Sequence, residues 1–361
     1  MEILGPNFLP IVLGIALLLT ALSIILLLVT TVIHWLTDKR QEHLESFDNE
    51  IKPMVVSYLE GNETEKSVVK TMRKDPTESL NVLMHQSVDL APTERYRLQP
   101  LFAAIINVDD EISALQSSNV RRRLLATECL GYVKNEATSE ALLNVLEDEV
   151  PAVRLSAARS LAAHGMVEAI EPILRALDLP SELNELREVE AIFDFGPSAA
   201  PVLLTVLDNP EGEHSNNVII VAARVLGMLK ATGAVQPLIK LLKSPSVSVR
   251  INSAHALGEI GNPEAIAPLV ELANDPEWEV RNKVVKAIGQ LHADEEIPTL
   301  SNALEDPSWW VRFSAAQALH SLGQSGILKL QEIMGSTTDN DARETCRDVL
   351  EEHNILDTKK A

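Results

Sequence analysis

Arginines recur at one phase of this chain, and that repetition opens two kinds of chemistry. Arg154, Arg187, Arg250, Arg281, Arg312 and Arg343 share the phase, with Arg123 ahead of them and Ile219 filling the one gap; the successive spacings are 31, 33, 32, 31, 31, 31 and 31 residues. An exposed row of guanidinium groups would be a ladder for an anionic ligand. Buried, each planar fork would instead pair with a carboxylate. Asp148, Asp275 and Asp306 stand six residues ahead of Arg154, Arg281 and Arg312, so we expect pairing with the turn aspartate of the same or an adjacent repeat. Tryptophan carries a similar duality. Trp278 and Trp309 lie three residues before Arg281 and Arg312, with Trp310 adjoining. They either form an aromatic anchor strip for a protein partner or cap the helix pairs beneath them.

The remaining reactive residue types form no constellation. His164, His255 and His320 have no second ligand at metal spacing and read as helix-surface or turn residues. Cys129 and Cys346 fall at opposite ends of the periodic region, too far apart for a mutual disulfide. The chain has no Gly-x4-Gly-Lys, Gly-x-Ser-x-Gly, His-Glu-x-x-His or Cys-x-x-Cys. No catalytic residue, metal or cofactor is expected.

The elements that position these residues follow from the period. Taking Arg250 as origin, Val249, Ala254, Leu257 and Ile260 make one helical stripe, and Ile266, Leu269 and Leu272 make a second beyond the turn at Gly261 to Pro263. Each unit is therefore helix, turn, helix. Pro172, Pro237, Pro268 and Pro298 mark the start of the second helix, where a missing N–H breaks no bond. Small residues such as Ala157, Ala158, Ala222, Ala223, Ala254, Ala315 and Ala316 mark the close approach of neighbouring units. A lone pair cannot bury its apolar face, so the units must stack.

The segments Asp275-Pro-Glu-Trp-Glu-Val-Arg281 and Asp306-Pro-Ser-Trp-Trp-Val-Arg312, with Ala and Leu-Gly recurring in phase, resemble HEAT repeats of the short bacterial type also seen in phycobilisome-lyase-like proteins. The resemblance covers residues 118–350. It implies a right-handed α-solenoid used as a binding scaffold, and it leaves a bilin lyase-like activity as a second reading.

Ahead of the array lies a different kind of sequence. Residues 8–37 contain no Asp, Glu, Lys or Arg; at ~1.5 Å per residue the run exceeds the ~30 Å of hydrocarbon that a membrane helix crosses. We expect a single transmembrane helix there, after a tail at residues 1–7. Lys39 and Arg40 follow it, while no basic residue precedes it, which places the rest of the chain in the cytoplasm; a periplasmic orientation is the alternative. Residues 38–117 read as a helical stem with degenerate capping repeats. Pro53 is expected to open a new helix, and Asn62 with Glu65 to form a capping box. Residues 351–361 form a polar tail.

Charge narrows the partner. Asp and Glu number 52 against 31 Lys and Arg, a net charge of −21, which repels phosphate backbones and excludes generic nucleic-acid binding. The chain reads as an all-α scaffold, not an enzyme. It is expected to meet the bilayer through residues 8–37 and to hold a membrane-associated, basic protein partner at a bacterial inner membrane. For this class of protein, the resemblance implies an envelope component such as a polysaccharide-synthesis enzyme. No small-molecule substrate is indicated.

Overall fold

The structure, a computed structural model, describes residues 8–88, 90, 92–177, 185–209, 214–353 and 355. The chain divides into two compact units, Met1–Asn107 and Val108–Ala361.

The first unit begins with one helix, α1 (Phe8–Leu59), followed by α2 (Glu65–Met72), α3 (Pro76–Val88) and α4 (Pro92–Ile105). Phe47, Ile51 and Val55 are spaced i, i+4, i+8 and are buried with Val68, Met72, Leu83, Leu98 and Phe102, so the distal end of α1 belongs to a small core. That packing explains a departure from expectation. Pro53 lies inside α1 rather than at a helix start, since buried residues on both sides outweigh the hydrogen bond it removes. Nor is there a capping box at Asn62: Thr64 is the N-cap, without a side-chain bond, and the Asn62 amide donates to Glu60. Among the described residues no single helix is long and apolar enough to cross a membrane. The side chains of residues 8–21, half of the apolar run, lie outside that description.

The second unit is all-helical among its described residues and pairs an outer with an inner helix eight times. The pairs are α5 (Val108–Ala114) with α6 (Val120–Gly131), α7 (Glu136–Val145) with α8 (Pro151–Ala163), α9 (Ile170–Leu177) with α10 (Glu185–Phe193), and α11 (Ala200–Asp208) with α12 (Asn216–Met228). They continue as α13 (Val235–Leu241) with α14 (Val247–Ile260), α15 (Ile266–Leu272) with α16 (Trp278–Gln290), α17 (Ile297–Asn302) with α18 (Trp309–Ser321), and α19 (Gln324–Ser336) with α20 (Asn340–Glu352). Pro172, Pro237, Pro268 and Pro298 all fall in the first turn of an outer helix, as expected. The inner helices carry the phased arginines. They open on hydrogen-bonding caps such as Asn119, Ser215, Ser246 and Asp339, and α14 closes on Gly261 at φ 76°, a conformation that favours glycine.

Consecutive inner helices pack directly on one another, whereas outer helices touch mainly their own partner, except α9, which packs on α8 and α12. The recurrent Leu-Gly position shows why. A Cβ on Gly227 would lie 2.9 Å from Ala256 Cα, one on Gly258 3.0 Å from Ala287 Cα, and one on Gly289 3.0 Å from Ala318 Cα. Three successive interfaces thus use one glycine-on-alanine contact, 29 residues apart. At the last interface His320 replaces the glycine, and its ring stacks on His353 with centroids 3.8 Å apart.

Gly258→Val should therefore destabilise the array by about 1–3 kcal/mol, as overpacked sites do, despite valine's better helix propensity. Gly335→Ala, in an open position of α19, should instead gain about 0.5–1 kcal/mol. Urea unfolding of the two variants checks this, and a stable Gly258→Val protein would rule out the close contact.

Candidate functional site

The arginine ladder is internal and links repeats. The Arg250 fork donates from Nε to Asp275 Oδ2 at 2.9 Å and from Nη2 to Oδ1 at 3.0 Å. Arg281 grips Asp306 in the same way at 2.6 and 2.9 Å, and Arg123 grips Asp148 at 2.8 and 3.0 Å. Each acid therefore pairs with the arginine 25 residues before it, in the preceding repeat. The arginine six residues after it does something else. Arg154, Arg281 and Arg312 donate from Nη1 to the main-chain carbonyls of Asp148, Asp275 and Asp306 at 3.0, 2.8 and 2.8 Å. The same aspartates accept the backbone N–H of Val150, Glu277 and Ser308 at the start of the next inner helix. Both partners expected from sequence are thus used, one by side chain and one by backbone.

Burial and pairing set the protonation of these groups. The hydrogen bond to Asp148 raises the Arg123 pKa, and that to Asp306 raises the pKa of Arg281. Burial alone would push the Asp306 carboxyl up, but the Arg281 hydrogen bond, the Ser308 N–H and the charges of Arg281 and Arg312 outweigh it and hold the carboxyl below its usual range.

The ladder changes at its ends. Position 25 after Arg312 is Thr337, so Arg312 turns to the exposed Asp341 at 3.2 Å and its buried Nε has no partner. Arg343 donates to the Thr337 carbonyl. Arg187 is exposed, and the positions that would hold it, 181 and 212, lie outside the described residues. Residue 179, 25 after Arg154, lies outside them too.

Other candidates are also placed. His164 was read as a surface or turn residue; it caps α8 but is buried. Its ring nitrogens lie 3.1 Å from Ser139 Oγ and 3.1 Å from the Leu130 carbonyl of the neighbouring repeat. Cys129 and Cys346 are buried, and burial pushes their thiols to about 12 and about 11. Neither is a thiolate nucleophile at neutral pH in the folded chain.

What the inner helices expose differs from what they bury. With the arginine position as zero and 100° per residue, positions −2, +2, +5 and +9 share the side opposite the neighbouring outer helices. Trp310 occupies position −2 of α18 and is 55% exposed. Its ring meets Trp309 edge-on at 4.8 Å, and Trp309 stacks on Phe313 at 5.0 Å. Trp309 and Trp278, both at position −3, are 46% and 37% exposed. Sequence reading named the three indoles but not Phe313, one turn after Trp309, although its i+4 spacing was the available signal. It also missed that Arg224, His255 and Lys286, 31 residues apart, form a row at position +5, with Lys283 beside it at +2. Burial, then Lys283, Arg224 and Lys286, push His255 down to about 4. Burial, then Lys286 and Arg224, lower Lys283 as well.

Stacked helix pairs bound by an inter-repeat Arg–Asp ladder define an α-solenoid. Residues 108–192, 200–284 and 267–351 match HEAT repeats, about two thirds of the chain, and the chain belongs to the HEAT-repeat family. No curated protein is a significant match. Among solved structures it is similar to the YibA protein of Escherichia coli, at 19% identity over 71% of this chain and 96% of that one, with a TM-score of 0.42. The complex of CpcE and CpcF of phycocyanin lyase from Nostoc sp. PCC7120 gives 21% identity, 68% and 94% coverage and a TM-score of 0.33. A Kap121p mutant gives 14% identity, 80% and 39% coverage and a TM-score of 0.46.

The ladder makes stability depend on pH in a definite direction. Because the folded Asp306 carboxyl titrates below the unfolded one, its contribution is complete above about pH 3.9 and is lost as pH falls through the folded value. Asp306→Asn should cost about 3 kcal/mol at pH 7, since it strands a largely buried guanidinium, and the difference from the parent chain should close as pH falls through the folded value. A difference that persists undiminished in acid would refute the pairing.

Proposed function

We propose that this chain is a membrane-anchored protein-binding scaffold that acts by recognition, not catalysis. The observation that carries the reading is the set of exposed indoles on α16 and α18, Trp278, Trp309 and Trp310, with Trp309 stacked on the partly buried Phe313. Soluble surfaces seldom expose such a cluster without use, and indoles are the side chains whose truncation most often abolishes binding. The uncharged run at residues 8–37 supports a single transmembrane anchor, and Lys39 and Arg40 support a cytoplasmic array. Anchoring would confine scaffold and membrane-bound partner to one surface and raise their effective concentration.

Two measurements test the two halves. Deleting residues 2–37 should move the protein from the membrane pellet to the soluble fraction; retention in the pellet after a carbonate wash would end the anchor assignment. Replacing Trp278, Trp309 and Trp310 together by alanine, in the full-length chain, should lose the main cross-linked partner by about 30-fold or more, corresponding to ~2 kcal/mol. An unchanged partner set from an equally stable variant would make the indoles packing groups and defeat the aromatic-site reading.

A further inference from the structure

The scaffold reading leaves the partner's chemistry open, and the inner face narrows it. Arg224 on α12, His255 on α14 and Lys286 on α16 recur at one phase on three directly stacked inner helices, and Lys283 adds a fourth basic side chain beside them. Among the described residues neither Lys283 nor Lys286 has an ion-pair partner. Two acids share this side: Glu259, at position +9 of α14, lies 3.8 Å from His255, and Glu279, at position −2 of α16, keeps one carboxylate oxygen buried without a partner among the described residues. With His255 neutral at physiological pH, a chain of net charge −21 thus places three cations, Arg224 on α12 and Lys283 and Lys286 on α16, on one side of the stack. Of the aromatic group, Trp310 at position −2 of α18 shares this side.

We propose that the inner face of α12 to α18 is a docking groove for an acidic, extended protein segment that ends in an apolar residue. This rests on the scaffold reading and reverses the partner charge expected from composition. Neighbouring helix axes lie ~8–10 Å apart, which an extended chain spans in about three residues. The matching segment therefore carries carboxylates about six residues apart, over Arg224 and over the Lys283 and Lys286 pair, with the neutral His255 between them, and a leucine or aromatic residue beyond them to meet Trp310. A short segment suits the charge better than a polyanion or an anionic bilayer does. It sits within the ~8 Å Debye length of the local cations, whereas a large anionic surface also meets the acidic remainder of the array.

The test uses the full-length protein in detergent micelles and a fluorescein-labelled ten-residue peptide with glutamate at every third position and a terminal leucine. Fluorescence anisotropy should show binding that weakens with salt, is absent for the same peptide with lysine in place of glutamate, and falls about tenfold or more in Lys283→Glu/Lys286→Glu. The milder Lys283→Gln/Lys286→Gln variant should show a smaller fall at an unchanged unfolding midpoint, which separates lost charge from lost fold. Equal binding of both peptides, no binding of either, or an unchanged affinity in the variants would overturn the proposal. So would competition by inorganic phosphate or phosphatidylglycerol vesicles as strong as that of unlabelled peptide, which would reassign the face to phosphate groups. A negative result here, beside a partner lost in the tryptophan variant, would leave the scaffold standing and remove only the acidic segment.

Discussion

Three interfaces in the array turn on a guanidinium of one repeat laid flat against a carboxylate of the next. Because Asp275 and Asp306 take two bonds from the preceding repeat and accept the N–H of Glu277 and Ser308, the residues that precede the following inner helices, with the same side chain, one residue fixes both the distance between repeats and the turn into the next helix. That register brings Gly258 onto Ala287 and Gly289 onto Ala318; a shift by one residue would put a side chain where only a hydrogen fits. The electrostatic clamp and the steric contact are two readings of one geometry. In a structure whose units touch only their neighbours, stability is a sum of such interfaces. The interface after Arg312, with threonine for aspartate and histidine for glycine, lacks both devices.

Most of this geometry was legible because it is periodic. The 31-residue spacing, the two helical stripes, the outer-helix prolines and the small residues on the inner helices all follow from local chemistry repeated in register. The partner of each aspartate was not. An acid six residues ahead of one arginine and 25 behind another satisfies both descriptions, and only the stacking decides that the side chain reaches back while the carbonyl reaches forward. Other misreadings share this cause. Pro53 is a helix breaker by local rules, but Phe47, Ile51 and Val55 carry α1 through it into a core. His164 is polar and stands at a helix end, yet it is buried between Ser139 of its own repeat and the Leu130 carbonyl of the preceding one. Of the candidate site, the tryptophans were visible as a repeated phase, while the basic row went unseen because a global acid excess distracts from three residues at one phase.

That last point concerns how charge should be counted in a solenoid. The ladder neutralises Arg123, Arg250 and Arg281 against Asp148, Asp275 and Asp306 and buries them, so none contributes much to the field that a partner meets. Net charge then describes the remainder only as an average, and at physiological salt an average over the whole array extends far beyond the ~8 Å across which charges act. What a segment lying on the inner face encounters is set by Arg224, Lys283 and Lys286 within a few ångströms.

Those same groups burden the free protein. Lys283 is half-buried beside Lys286 and Arg224, and its lowered pKa records that the folded array disfavours its charge. The cost is confined to α12, α14 and α16, the stretch where the glycine-on-alanine contacts fall and where α14 and α16 carry complete clamps. Anything anionic that binds there relieves this repulsion and favours the folded array over the unfolded chain. Recognition and stability are then coupled through one set of side chains, which an aromatic patch acting alone could not achieve.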